Sequence, residues 1–389
     1  MRMGIMGYFR FVAVAILFVA LPLFGQNQNT PEDDTTIVPF QFMSPRANGM
    51  GGNHAALADD FDTIFVNPAG FTTAEDQFSV AAISVTFTDN DSILKLLASE
   101  FVDPAVYISL LKNRFETGLD VGGPFALGLI KGNFGLGLLN HQYVKVWWDR
   151  NNVFVLNANA GEEIVLYAGQ SIPFPGNGSV QFTPGYVIKP AMRLVYVPRD
   201  IQFMDFRYIM KNLQSQPFET HLGIGLDVGF LLSFFDTVYI AGVCRDVVSP
   251  LFVSHYTSFE DFTGSGSNAP VNTTEWIKPT YDFSICIRTK NTIVYETVED
   301  IAFTVDYHLS NFLENPDRNP LLDMSAGIEL RLLRAFWLRA GWQKMLPGGG
   351  FGIDLGWGQI NAAFYGETFG NELSDHQSMS FSFGLTFRY

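Results

Sequence analysis

The last twelve residues of the chain alternate without a break between two kinds of side chain. Met379, Phe381, Phe383, Leu385, Phe387 and Tyr389 take one parity, while Ser378, Ser380, Ser382, Gly384, Thr386 and Arg388 take the other. Successive side chains of a strand point to opposite faces, so such a segment needs two unlike surroundings. The pattern recurs. Ile301, Phe303, Val305, Tyr307 and Leu309 alternate with Asp300, Ala302, Thr304, Asp306 and His308. Met324 to Leu332, Phe351 to Gly358, His221 to Val228 and Tyr281 to Arg288 do the same.

A soluble β-sandwich also alternates, with its apolar face inward, but its strands average about 5–6 residues. About 14 strands are expected here, near 78–88, 121–131, 133–147, 153–168, 180–197, 219–232, 236–247, 276–290, 298–309, 321–332, 335–345, 349–357, 359–367 and 376–389. Most reach the roughly 9–11 residues that cross a bilayer when tilted. Backbone groups in hydrocarbon all need partners, and only closure of the sheet leaves no bare edge. The fold class expected is therefore all-β, a transmembrane antiparallel β-barrel spanning 76–389. The long gaps at 89–120, 198–218, 248–275 and 310–320 fall on one side, as external loops should. The tight joins at Gly132, Ser233–Phe235, Leu333–Arg334 and Gly358 fall on the other. The stretch 169–179 is long for that side. Trp337 shares a parity with Arg339, which places some aromatic area inward.

Composition agrees. Charged residues make up only 16 % of the chain, against 37 Phe and 36 Gly, an unusual mixture for a soluble enzyme. The formal charge of −15 opposes nucleic-acid binding, and no basic stripe offsets it. Residues 1–25 read as a signal peptide: Arg2 and Arg10 flank an apolar run of 14 residues, Phe11 to Phe24. That run is shorter than the roughly 20 residues a spanning helix takes. Cys244 and Cys286 fall inside strands and are expected as free buried thiols rather than a disulfide framework.

Within the first long gap, Ile93, Leu94, Leu96, Leu97 and Phe101 recur at helical spacing, and Asp103–Pro104 separates them from Val106–Leu111. Short amphipathic helices are expected in that external loop. They either cap the barrel or form an apolar vestibule in which Leu94, Leu97, Phe101, Leu110 and Leu111 bind a lipophilic ligand.

Between leader and barrel lies Ser44-Pro-Arg-Ala-Asn-Gly-Met-Gly-Gly-Asn-His-Ala-Ala-Leu-Ala-Asp-Asp60, continuing through Asn67-Pro68-Ala69-Gly70. Composition alone gives a loop–helix–loop, and a phosphate cradle fails because no Lys-Ser/Thr follows the glycines and no strand precedes them. The segment resembles the N-terminal signature of FadL-type outer-membrane proteins, the long-chain fatty-acid transporter family with its PorV-like relatives. The matching residues are Arg46-Ala47, Gly49 to Gly52, Ala58-Asp59-Asp60 and Asn67 to Gly70. The resemblance implies a 14-stranded barrel in which residues 26–75 fold into the lumen as a hatch. Arg46, Gly49, Gly51, Gly52, Asp59, Asp60, Asn67, Pro68 and Gly70 would form that plug, and Phe387 and Tyr389 the barrel-insertion terminus. It also implies passive movement of hydrophobic molecules, leaving by the lumen or a lateral gap, with no cofactor. The partners implied are outer-membrane lipid, a fatty-acid or other hydrophobic ligand and the barrel-assembly machinery.

Enzymatic patterns are weak. Histidines 54, 141, 221, 255, 308 and 376 are scattered, without His-Glu-x-x-His, and no G-x-S-x-G elbow exists. No catalytic or metal-binding residue is assigned. Asp59 and Asp60, if adjacent on a helix, would point apart, which suits capping or salt bridges from hatch to wall. The expected function is an outer-membrane channel for passive uptake of hydrophobic or amphipathic small molecules such as long-chain fatty acids. The alternatives are a non-transporting barrel that scaffolds secretion or displays its loops to a partner, and a barrel lipase.

Overall fold

The computed structural model describes residues 43–52, 54–89, 116–123, 126–148, 155–174, 176, 179–196, 201–202, 212, 215–290, 298–314, 316, 319–369 and 376–388. The leader, the first external loop with Leu94, Leu97, Phe101, Leu110 and Leu111, and Tyr389 lie outside the described residues. Hydrogen-bonded strand segments line up as a closed antiparallel barrel of 14 staves. They are β1 (Gln77–Asp89), β2 (Glu116–Gly122 and Leu127–Lys131), β3 (Phe134–Trp148), β4 (Val155–Ser171), β5 (Val180–Tyr196) and β6 (Phe218–Phe234). Then follow β7 (Val238–Val248 and Pro250–Tyr256), β8 (Val271–Trp276 and Thr280–Lys290), β9 (Val298–His308) and β10 (Met324–Leu332). The last are β11 (Phe336–Gln343), β12 (Leu346–Asp354), β13 (Gly358–Phe369) and β14 (His376–Arg388). Ile201–Gln202 extends the line of β5 along β4. β14 pairs with β1, from Ser79 opposite Arg388 to Asp89 opposite Met379, and this closes the barrel.

The alternation sets the two faces. On β14, Phe381 is 50 % exposed while Ser380 and Ser382 beside it are 0 % exposed. Phe283, Ile285 and Ile287 on β8, Phe303 on β9, Leu338 on β11 and Phe351 on β12 also face outward and exposed. So large an apolar exterior fits hydrocarbon rather than water. Among the described residues no helix is long and apolar enough to cross a membrane. The inward parity carries Asp282, Ser284, Cys286 and Arg288 on β8 and Asp300, Thr304 and Asp306 on β9, all buried. Trp337 faces inward as its parity with Arg339 predicts, with the Arg331 and Arg339 guanidinium carbons 5.0 and 5.8 Å from the centre of its ring.

Several boundaries differ from the sequence expectation, each for a physical reason. Leu346 to Gly348, which fell between two expected strands, belong to β12 together with Gly349 and Gly350, and the turn before them is only Lys344–Met345. The three glycines there mark a strand surface that another backbone approaches, not a loop. β12 ends at Asp354, so Leu355 and Trp357 sit in a turn around Gly356, whose φ is +81°. β4 extends to Ser171, and Phe174 then bridges back to Phe182, which shortens the long join at 169–179. β7 and β8 run further out than expected, leaving 257–270 as their connection. β7 also bulges: its pairing to β6 shifts register between Leu226 and Val228, and Asp246 takes a φ of 53° with its side chain buried inward.

Candidate functional site

The segment from Ser44 to Ala74 fills part of the lumen. Ser44 caps a short helix, Pro45–Gly49, its Oγ accepting from Ala47 N at 3.2 Å, with Pro45 suited to the first turn. A 3-10 turn follows at Ala55–Leu57, then a helix at Thr63–Val66 and a second 3-10 turn at Pro68–Thr72. Asn67 and Pro68 are therefore a cap and first position rather than a bare turn. The Asn67 Oδ1 accepts from Ala69 N at 3.0 Å. Its Nδ2 donates to Ala55 O at 2.9 Å and to Phe230 O, on the barrel wall, at 3.3 Å.

Two apolar clusters seat the segment. Met50, Ala55, Ala56, Leu57, Val66 and Ala69 pack with Leu231, Tyr239, Ala241, Val243, Cys286 and Ala302 of β6 to β9. Ile64, Phe65 and Phe71 pack with Leu139, Val165, Tyr167 and Val187 of β3 to β5. On the opposite wall the contact is backbone to backbone. A Cβ on Gly51 would lie 2.6 Å from the Trp342 N and O, and its φ of +83° is one that glycine adopts without cost. A Cβ on Gly49 would come within 3.1 Å of Gly350 Cα. Gly52 lies over Ser325, and Gly70 packs on Ala58 within the segment.

Charge completes the clamp. Arg46 grips Glu329 of β10 with two donors, Nε at 2.9 Å and Nη2 at 2.6 Å. Its Nη1 reaches Asp59 at 2.8 Å and Asp60 at 2.7 Å. The two aspartates lie between helical turns, not on one helix, so they converge on a single guanidinium instead of pointing apart. Asp59 also pairs with Arg288 of β8, which holds Asp300 through Nε at 2.9 and 3.1 Å. Glu329 accepts in addition from Arg339 Nε at 2.6 Å, and Arg339 Nη1 donates to Asn361 at 2.7 Å. His54 meets Asp306 of β9, whose other oxygen accepts from Ala55 N at 3.3 Å. Arg245 donates to the Val66 carbonyl at 3.2 Å.

Burial opposes the ionised form of Asp59, but the Arg46 and Arg288 guanidiniums outweigh it and hold the carboxyl well below its usual range. Asp62 goes the other way. Burial, and then the neighbouring Asp60 charge, push it up to about 7, and the Ser44 hydroxyl donates to it.

A second set of ion pairs belongs to the wall alone. Lys189 of β5 lies 2.8 Å from Asp227 of β6 and 3.0 Å from Asp246 of β7. Arg193 pairs with Glu163, His141 with Asp120 at 2.6 Å, and Glu219 with both His221 and His255 at 3.0 Å. His308 and Arg245 share Asp282. The wall partners Arg288, Asp300, Asp306, Glu329 and Arg339 were visible in sequence only as charges on an inward parity; nothing local said which would meet.

No protein-family model matches the sequence, and no curated protein matches it. Solved structures do resemble it. The monoaromatic hydrocarbon channel CymD superposes with a TM-score of 0.50 at 12 % identity, over 89 % of this chain and 97 % of CymD. The Pseudomonas putida toluene transporter TodX gives 0.47 at 11 % identity, over 91 % and 99 % of the two chains. A Pseudomonas aeruginosa FadL homologue gives 0.47 at 12 %, over 90 % and 98 %. These structures are channel and transporter barrels, not enzymes. The protein thus has the fold of the CymD channel, a closed antiparallel barrel of 14 strands.

Proposed function

We propose that this chain is an outer-membrane channel through which hydrophobic or amphipathic small molecules, long-chain fatty acids among them, pass without an energy source. Residues 26–75 act as the hatch, residues 76–389 as the barrel, and residues 1–25 as a cleaved export signal. The outer membrane of a diderm bacterium is its place, reached through the barrel-assembly machinery. One observation carries this reading: the lumenal segment is fastened to the wall by ion pairs and glycine contacts, not woven into the sheet. Arg46, Asp59 and Asp60 make up the movable side of that fastening, and Glu329 and Arg288 the fixed side. Such pairs can exchange partners or solvent, whereas a fifteenth stave could leave only by unzipping a ladder.

Deleting residues 44–71 should raise the single-channel conductance of the purified barrel in planar bilayers several-fold. Uptake of a fluorescent fatty acid into proteoliposomes should rise with it. An unchanged pore would count against a hatch. Co-purification of a stoichiometric protein partner, with no flux in either form, would favour the scaffold instead.

A further inference from the structure

A cavity on the lumen side of β4 to β7 has no residue of the N-terminal segment in its lining. About 40 Å³ of it is open to atoms the size of a water oxygen, within about 510 Å³ of unfilled space that continues to the solvent side. A water needs roughly 10–15 Å³ by that measure, so the enclosed part suits a small polar head and not a whole fatty acid. Two glycines let the lining side chains lie close over the backbone of β6. A Cβ on Gly225 would lie 2.6 Å from Lys189 Cε and 2.9 Å from Asp246 Oδ1, and one on Gly223 would lie 2.8 Å from Leu251 Cδ1.

The charged lining is balanced, but one of its acceptors is left over. Arg193 is matched by Glu163, and Lys189 bridges Asp246 and Asp227, the latter outside the lining. Two lining atoms have no hydrogen-bond partner, His221 Nδ1 and Asp246 Oδ1, on residues only 5 % and 2 % exposed. The His221 Nε2 lies 3.0 Å from a Glu219 carboxylate oxygen. The Asp246 Oδ1, on a carboxylate whose other oxygen pairs with Lys189, can only accept and wants a donor, and a buried acceptor left unmatched is costly. Val165, Ala191 and Leu251 supply the apolar remainder.

We propose that this cavity is a head-group site for small amphipathic molecules whose polar end donates hydrogen bonds, a primary amine or an alcohol on an apolar body. It rests on the channel reading for how such a molecule reaches the lumen, and it adds a ligand class held at this cavity to the fatty acids that the channel passes. A carboxylate head would meet the unmatched Asp246 oxygen with no proton to give it.

The test is calorimetric titration of the full detergent-purified protein with three probes of similar shape: 2-phenylethylamine, 2-phenylethanol and 3-phenylpropanoate. The amine and the alcohol should bind saturably, and the carboxylate at least tenfold more weakly. Ala191→Leu, which fills the cavity, should abolish the signal in the same detergent. Asp246→Asn should weaken the amine at least tenfold; should that variant lose its heat-modifiable band, His221→Phe takes its place. Equal affinity for the carboxylate, or amine binding that survives Ala191→Leu, overturns the site. No saturable binding by any probe also overturns it and leaves a cavity that holds only water. Binding is read without flux, so a failed transport assay and a failed titration are separate results.

Discussion

Arg46 and Lys189 lie in the same lumen, and each draws buried carboxylates around one cation, yet they join different things. Lys189, Asp227 and Asp246 sit on three adjacent staves whose hydrogen-bonded register already brings them together. The sheet has ordered these side chains' backbones before the ion pairs form. Arg46 reaches Glu329 across 283 residues of sequence, from a segment with no place in the ladder. Its ion pairs must themselves supply much of the order. Similar chemistry thus stiffens a wall in one place and fastens a removable part in the other.

The largest effect expected is that of Arg46→Ala, which strands Asp60, leaves Asp59 with Arg288 alone and takes one of two cations from Glu329. Removing one partner of a buried ion pair costs about 3–5 kcal/mol. Cys286, fully buried against Ala55 to Leu57, reports the outcome. Its modification by a maleimide at fixed pH should speed up about a hundredfold, at about 1.4 kcal/mol per tenfold. An unchanged rate would mean that the apolar clusters alone seat the segment. Lys189→Met should break the symmetry of the comparison: the barrel should unfold at lower temperature in a gel-mobility assay, by about 3 kcal/mol. The Cys286 rate should stay as in the parent. If both changed together, the two networks would be one unit.

Gly51→Ala comes next. It forces a side chain into a left-handed conformation and against the Trp342 backbone, a strain of about 1–3 kcal/mol, so Cys286 should be modified some tenfold faster. The smallest effect concerns pH. Asp62 holds its proton more tightly in the seated segment than an exposed carboxyl does. Its contribution is therefore complete below the ordinary value of 3.8 and lost as pH climbs through about 7. Open probability in planar bilayers should rise a few-fold between pH 5 and pH 8, and Asp62→Asn should flatten that rise. Asp59 has the opposite sign, since its depressed value makes it count at every pH above strong acid.

Much of the fold was legible in the chain. The outward Phe, Leu and Ile of β8, β9, β10 and β14 stand where alternation put them, because a strand's two faces are a local property. Local signals failed where a distant backbone intervened. Gly348 fell in the gap between two expected strands and is strand, with the Asn48 carbonyl oxygen 3.2 Å from where its Cβ would lie. The convergence of Asp59 and Asp60 on Arg46 was hidden for a related reason. It depends on the two turns between which they lie and on the wall they face, neither of which their spacing encodes.

What the sequence alone determined is the sidedness of each stave, because a two-residue period forces a choice between two solvents wherever the strand is placed. Only the tertiary structure decided which lumenal charges meet. Closing the barrel places Arg46, Asp59, Arg288 and Glu329 within reach of one another, though they come from separate parts of the chain. The turn of Asp246 into the cavity beside Lys189 likewise follows from a bulge in one ladder, which no pattern of residue types announces.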